Sequence, residues 1–252
     1  MRIAIIGARG RIGGEVVDIL AADGHEVTAV SRAAGVDVYT GEGLVAALSG
    51  ADAVVDAVSA ATTETGEITD FFGTVAGHVR RAAAGAGVRR IAVISIIGID
   101  PFTAGHYAGK LAQEHAYRRG PVPVRILRAA QFHEFTEMTL DWTTRGDTAY
   151  VPETRTQLVA ARTAAEHLAE LAVAESAPDR VDLAGPRELN LAAATAELAA
   201  RRGAPAHVTE VFDPDDPNAA LQAAGALLPG PDAVLAGPTF EEWLDRKYPR
   251  TS

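Results

Sequence analysis

The strongest constraint on the fold is an alternation, over residues 2 to 127, of short apolar runs with stretches of helical periodicity. Arg2 to Ile6 reads RIAII and is ended by Gly7; a short continuous run of this kind suits a strand covered on both faces. Residues 11 to 22 carry Ile12, Val16, Ile19 and Leu20, the spacing of one helix face. Asp23-Gly24 breaks the chain before a second strand, Glu26 to Val30. Further strands are predicted at Val36 to Tyr39, Ala53 to Val58, Ile91 to Ile97 and Val124 to Leu127. Between them fall helices at Leu44 to Leu48, Asp70 to Ala84 and Tyr107 to Arg118. Strands separated by helices of this length imply right-handed crossovers and a parallel sheet. The expected fold class is therefore α/β with a doubly wound parallel sheet.

The rhythm changes after about residue 130. Short strands are predicted at Leu158 to Ala160 and Val181 to Leu183, and Ala-rich helices at Thr163 to Ala174, Leu191 to Arg202 and Ala219 to Leu228. Pro214, Pro217, Pro229, Pro231 and Pro238 cut this region into short pieces. Residues 136–252 are expected to form a small C-terminal α/β substrate lobe interleaved with a first domain of residues 1–135. Its expected place is the carboxyl edge of the sheet, where open α/β folds bind ligands.

Composition narrows the chemistry. A formal net charge of -10 gives no reason to expect nucleic acid, whose phosphates call for a basic surface. The absence of cysteine excludes disulfides, thiolate metal sites and a cysteine nucleophile. The seven histidines show no ligand spacing, and His133-Glu134 is followed by Glu137 where a zincin needs histidine, so no metal is expected. His133 reads either as a pocket-mouth residue or as a cap on the following helix. No stretch approaches the roughly 20 apolar residues of a membrane span. The N-terminal run is too short for a signal peptide, so a cytoplasmic location is expected. Phe71, Phe72, Trp142 and Trp243 fall at helical positions and read as core.

Directly after the first strand come Gly7-Ala8-Arg9-Gly10-Arg11-Ile12-Gly13, then Gly14. The G-x-x-G-x-x-G spacing keeps the turn tight and brings backbone N–H groups toward a pyrophosphate, at which the following helix also points its positive end. The motif is weak in isolation, but here it stands at the required strand–turn–helix junction. It predicts a dinucleotide site built on a Rossmann-type domain. The second strand ends at Val30, followed by Ser31-Arg32. An Asp or Glu there would bind a ribose 2′-hydroxyl and repel a 2′-phosphate. A hydroxyl beside a guanidinium does the reverse, with Arg9 adding to the same pocket, so NADPH is expected rather than NADH.

Taken in order, GARGRIG at 7–13, VSR at 30–32, DAVVDAVSA at 52–60, VISIIGID at 93–100, HYAGKLAQE at 106–114 and VRILRAAQFHEF at 124–135 resemble the short-chain dehydrogenase/reductase superfamily. Within it, the chain is most similar to the atypical, NmrA-like NAD(P)-binding branch. The resemblance spans most of residues 1–135 and leaves the substrate open. It implies that Ser95 orients a substrate carbonyl and that Lys110 binds the nicotinamide ribose and lowers the pKa of a nearby acid. It also implies that Ala57, Val58 and Ser59 border the cofactor, and that Ala130, Gln131 and Phe132 lie beside the nicotinamide. The acid of the superfamily is a tyrosine four residues before the lysine, whereas this chain has His106 there.

Positions 106 and 107 flank the line through Lys110 on a helix, so either side chain reaches the same face. His106 as a general acid, Tyr107 from the neighbouring position, and no surviving proton relay all stay open. The resemblance implies an NADPH-dependent reductase acting on a small carbonyl, quinone or enone, and a homodimer is compatible with it. Two alternatives are an NADP(H)-sensing regulator without turnover and a non-redox isomerase or cyclase.

Overall fold

The computed structural model describes residues 1–249; residues 250–252 of the expected C-terminal lobe lie outside the described residues. The chain runs through β1 (Arg2–Ile6), α1 (Arg11–Ala22), β2 (Glu26–Val30), α2 (Leu44–Ala47), β3 (Ala53–Asp56), α3 (Thr65–Gly85), β4 (Arg90–Ile96), α4 (Gly105–Arg118) and β5 (Val124–Ala129). It continues with α5 (Phe135–Thr143), β6 (Thr144–Arg145), β7 (Thr148–Pro152), β8 (Arg155–Thr156), α6 (Ala161–Val173), β9 (Arg180–Ala184) and β10 (Leu189–Asn190). The last elements are α7 (Leu191–Arg202), β11 (His207–Val211), α8 (Ala219–Ala223), β12 (Val234–Leu235) and α9 (Phe240–Lys247).

Seven strands form a sheet in the order β12-β9-β5-β4-β3-β1-β2. β1 pairs in parallel with both β2 and β3, so the winding direction reverses there, and such a switch point opens a crevice at the carboxyl ends of the strands. Register decides what the crevice holds. Ile6 is opposite Val30 on one side and Asp56 on the other, which brings the chain just beyond each strand, Gly7, Ser31 and Ala57, to one level.

Two compact units share the chain, and neither is a single continuous segment. The first comprises residues 1–95, 104–128 and 164–181. Successive side chains of a strand point to opposite faces, and in β1 all of Ile3, Ala4, Ile5 and Ile6 are buried, so both faces are covered. Ala4 and Ile6 join Val54, Val75, Val79, Ile91, Val93 and Tyr117 in one core cluster.

The expected strand at Val36 to Tyr39 is absent. Asp37 Oδ1 accepts from Tyr39 N at 2.8 Å and Thr40 N at 3.2 Å, and Gly41 and Gly43 turn the chain at φ 83° and 72°. This side-chain turn satisfies the amides that a strand would have given to a ladder.

The second unit comprises residues 96–103, 129–163 and 182–252, of which residues up to 249 are described. Its core joins Leu140 of α5, Ala149 and Val151 of β7, Leu191 and Leu198 of α7, and Phe240, Trp243 and Leu244 of α9. Asn190 caps α7 by accepting from Ala193 N at 2.9 Å, and Gly203 ends it at φ 76°. Trp142, read from the sequence as core, is instead 58% exposed, because α5 turns that position away from the cluster.

His133 is neither a pocket-mouth residue nor a helix cap. It is fully buried between Phe240 and Trp243, its Nε2 lies 3.1 Å from the Pro238 carbonyl oxygen, and its Nδ1 has no hydrogen-bond partner among the described residues. Burial lowers its pKa below the ordinary 6.5, against smaller upward effects of Pro238, Glu134 and Glu241. The unfolded chain therefore binds the extra proton first, and stability present above about pH 6.5 is lost as the pH falls toward the folded-state value. Melting temperature is expected to decline from about pH 7 to pH 5, and His133→Phe is expected to flatten that decline. An unchanged slope in the variant would refute the assignment.

Candidate functional site

The glycine turn is held by backbone contacts that only glycine allows. Gly7 adopts φ 77°, and a Cβ there would stand 2.6 Å from the Ala57 carbonyl oxygen. A Cβ on Gly13 would meet the Gly7 carbonyl oxygen at 2.2 Å, so this residue seats α1 against the end of β1. Gly10 is the N-cap of α1 and no side chain caps the helix, which leaves the first-turn amides to an outside acceptor.

Beside this turn lies a cleft of about 880 Å³. Gly7, Arg9, Gly10, Ser31, Arg32, Ala57, Val58 and Ser59 line it together. An uncapped helix end, an exposed Arg9 and Arg32, and a strand-end hydroxyl suit a dinucleotide with its anionic pyrophosphate. Arg11 and Ile12 do not line the cleft: Arg11 is exposed and Ile12 is buried under the helix. Gly13 acts through packing. Val36, Asp37, Val38, Tyr39, Glu67, Asp70 and Phe71 also line it, and none of them was singled out for the site from the sequence. Tyr39 stacks on Phe71 with centroids 5.8 Å apart and donates to Asp70 Oδ2 at 2.6 Å. Their signal was hidden because residues 36–39 read as a strand and Phe71 as core.

Helix α4 buries a polar stripe where a hydrophobic one would be ordinary. Lys110, Gln113, Glu114 and Tyr117, spaced i, i+3, i+4 and i+7, are all buried. Lys110 Nζ donates to Gln113 Oε1 and lies 4.8 Å from the centroid of the Phe72 ring. Gln113 Nε2 donates to Asp56 Oδ2 at 2.8 Å, and Tyr117 OH donates to the same oxygen at 2.6 Å. Asp56 Oδ1 accepts from Val58 N at 3.0 Å. One turn along, Ser95 Oγ donates to Glu114 Oε1 at 2.5 Å, and Arg128 grips Glu114 with two 2.9 Å hydrogen bonds.

These contacts place the residues expected to be catalytic. Ser95 is 2% exposed and its hydroxyl is given to the Glu114 carboxylate. Lys110 is equally buried and does not line the cleft. Burial lowers its pKa to about 8, with Asp56 and Glu114 opposing the shift. Burial also raises the Tyr117 phenol well above its ordinary value, and the Asp56 charge adds to this.

His106 stands edge-on to Phe72 at 5.5 Å, and Phe72 stands edge-on to the cleft residue Phe71 at 5.6 Å. Desolvation of its ring, and then the Lys110 ammonium, lower the His106 pKa, so imidazole is the neutral form at pH 7. His106 is nevertheless exposed, and solvent there offsets part of the desolvation without reversing the direction. Tyr107 is half-buried beside it. Ala130, Gln131 and Phe132 belong to the second compact unit, where Ala130 N donates to the Leu183 carbonyl and Val159 N to that of Gln131.

Among the described residues no group of three or more His, Asp or Glu side chains is placed to hold a metal ion, and no helix is long and apolar enough to cross a membrane. Comparison with curated proteins gives no match. Among solved structures, the chain is similar to the NADPH-dependent quinone oxidoreductase QOR2 of Escherichia coli, with a TM-score of 0.71 and 19% identity over 97% of this chain and 99% of that one. It is similar to a short-chain dehydrogenase/reductase superfamily protein of Agrobacterium tumefaciens with bound NAD (TM-score 0.65, 17% identity, 98% and 91% covered). The NAD-dependent NDP-hexosamine 5,6-dehydratase TunA is a further likeness (TM-score 0.63, 17% identity, 100% and 92% covered). At these identities the likeness is one of fold. The profile of a family described as NAD(P)H-binding matches residues 7–174, which takes in the glycine turn, the cleft and the buried stripe of α4. This chain belongs to that NAD(P)H-binding family and has a Rossmann-type fold.

Proposed function

We propose that the protein is an NADPH-dependent reductase of a small carbonyl, quinone or enone. The observation that carries this reading is the convergence of the glycine turn, Arg9, Ser31, Arg32 and Ala57–Ser59 on one cleft. The residues that follow β2 are Ser31 and Arg32, with no carboxylate to repel a ribose 2′-phosphate. A guanidinium fork matches phosphate oxygens. The name of QOR2, which joins NADPH to quinone reduction, supports the same choice.

A bound reduced nicotinamide supplies a hydride. The protein's own tasks are then to hold the acceptor oxygen and bring it a proton. A neutral His106 is a poor acid at pH 7 but a competent N–H donor to an oxygen that gains charge. Tyr107, the next residue on α4, carries a transferable phenolic proton and takes the acid role. Ser95 and Lys110 act on this site through their buried partners.

The commitment of Ser95 and Lys110 to those partners also favours a second reading, in which NADP(H) is bound without hydride transfer. The protein would then be a regulator or would run a non-redox reaction such as isomerisation or cyclisation.

NADPH consumption by the purified protein, measured against quinones, enones and aldehydes with NADH in parallel, decides between the readings. Saturable consumption is expected; cofactor binding with no consumption on any acceptor would move the second reading ahead. Tyr107→Phe is expected to slow turnover about a hundredfold, and His106→Ala about tenfold, with cofactor affinity unchanged in both. Equal rates in wild type and Tyr107→Phe would remove the proton-donor assignment. Arg32→Ala is expected to weaken NADPH binding by about ten- to a hundredfold, the scale of a charge-assisted hydrogen bond, and to leave NADH binding unchanged. A parallel loss for both cofactors would show that Arg32 does not read the 2′-phosphate.

A further inference from the structure

Asp56 is fully buried at the end of β3, two residues before Val58 and three before Ser59, both of which line the cleft. We propose that Asp56 is a positioning residue for the cofactor seat, locked in place by Lys110 through the side-chain amide of Gln113. One carboxylate oxygen of Asp56 holds Val58 N–H at 3.0 Å and so sets the course of the 57–59 segment. The other oxygen accepts from Gln113 Nε2 and Tyr117 OH.

An ammonium can only donate, whereas an amide has an accepting end and a donating end. Lys110 therefore turns Gln113 Oε1 toward itself, and this points Gln113 Nε2 at Asp56. If Lys110 loses its proton, its bond to Gln113 Oε1 is no longer charge-assisted and the positive charge that Asp56 feels is gone. Gln113 is then held less firmly, and the grip of Asp56 on Val58 N–H loosens with it.

The groups that face or surround Lys110 are few. Asp56 comes from β3, the Phe72 ring from α3, and His106, Gln113, Glu114 and Tyr117 from α4; Glu114 is paired with Ser95 of β4 and Arg128 of β5. Of these, Lys110 is the group whose protonation changes just above neutrality. The consequence is a cofactor site whose affinity falls as the pH rises through the Lys110 transition. The inference rests on NAD(P)H binding, which the family match carries, and holds whether or not hydride transfer follows.

NADPH affinity of the full chain, measured by cofactor fluorescence between about pH 7 and pH 9.5 with thermal melting followed in parallel, tests it. The wild-type Kd is expected to rise about tenfold across that range, and Lys110→Met to bind weakly with no pH dependence. Asp56→Asn is expected to weaken binding at pH 7, and combining it with Lys110→Met should bring no further loss, because both act through the same segment. A flat wild-type profile overturns the proposal, and so do losses that multiply in the double variant. If Asp56→Asn fails to fold, the wild-type profile against that of Lys110→Met still decides. A wild type that binds neither NADPH nor NADH would instead remove the cofactor reading itself, and the proposal with it.

Discussion

Replacing Glu114 by glutamine is expected to lower the stability of the fold by about 3–5 kcal/mol, the cost of breaking a buried ion pair from one side. Glu114 is fully buried and is held by two hydrogen bonds from Arg128, which is itself 2% exposed, by Ser95 and by the half-exposed Arg118 at 3.3 Å. Glutamine keeps the volume but offers one accepting oxygen where two were used, and it turns an N–H toward a guanidinium that has only N–H groups to give. The guanidinium does not escape by losing its proton. The melting temperature should drop by about 6–20 °C, given about 2–4 °C per kcal/mol for a chain of this size. Removing both charges together, as Glu114→Leu with Arg128→Met, should recover part of the loss, because a well-packed apolar pair often matches a buried ion pair. A melting temperature unchanged in Glu114→Gln would mean that water reaches the pair.

Gly13→Ala is expected to abolish tight cofactor binding while its neighbour Gly14→Ala does not. The new Cβ at position 13 would stand 2.2 Å from the Gly7 carbonyl oxygen and 3.0 Å from the Ala8 Cα, both of them backbone, so the turn or the helix must move. Overpacking of this kind costs about 1–3 kcal/mol, and here the strain falls on the loop that carries the expected pyrophosphate seat. A Cβ at position 14 would meet the Ala8 carbonyl oxygen at 3.6 Å, an ordinary contact, and alanine favours the helix. The Kd for NADPH should rise about ten- to a hundredfold in the first variant and stay near the parent value in the second. Equal behaviour of the two variants would show that the glycine spacing does not shape the site.

Much of the first unit was legible in the residues themselves. RIAII, EVTAV and AVVD mark strands because continuous apolar runs fit a sheet covered on both faces, and β1 and β2 have the predicted limits. In the second unit, α7 has the expected limits, set by Asn190 before it and Gly203 after it, because a side-chain cap and a left-handed glycine are local devices. The G-x-x-G-x-x-G turn was legible for the same reason: its geometry depends on a few neighbouring residues.

Other features depend on partners far away in the chain. Whether Asp37 closes a turn or the segment 36–39 joins the sheet is a competition between local and long-range hydrogen bonds, and the turn wins. Trp142 and Phe71 read alike as core by helical spacing, yet one is exposed and the other lines a cleft, because periodicity shows that a helix has faces without saying what covers them. Ser95 and Lys110 were visible as chemistry-bearing residues. Ser95 bonds Glu114 19 residues away and Lys110 bonds Gln113 3 residues away, while Gln113 in turn bonds Asp56 57 residues away, and only tertiary packing turns two candidate catalysts into members of a buried polar network. The sequence by itself determined β1 and β2, the limits of α1 and α7 and the glycine turn, since each is a matter of local sterics and hydrogen bonding. Tertiary structure alone decided which polar side chains meet and which face a cleft, because burial and pairing depend on the whole fold.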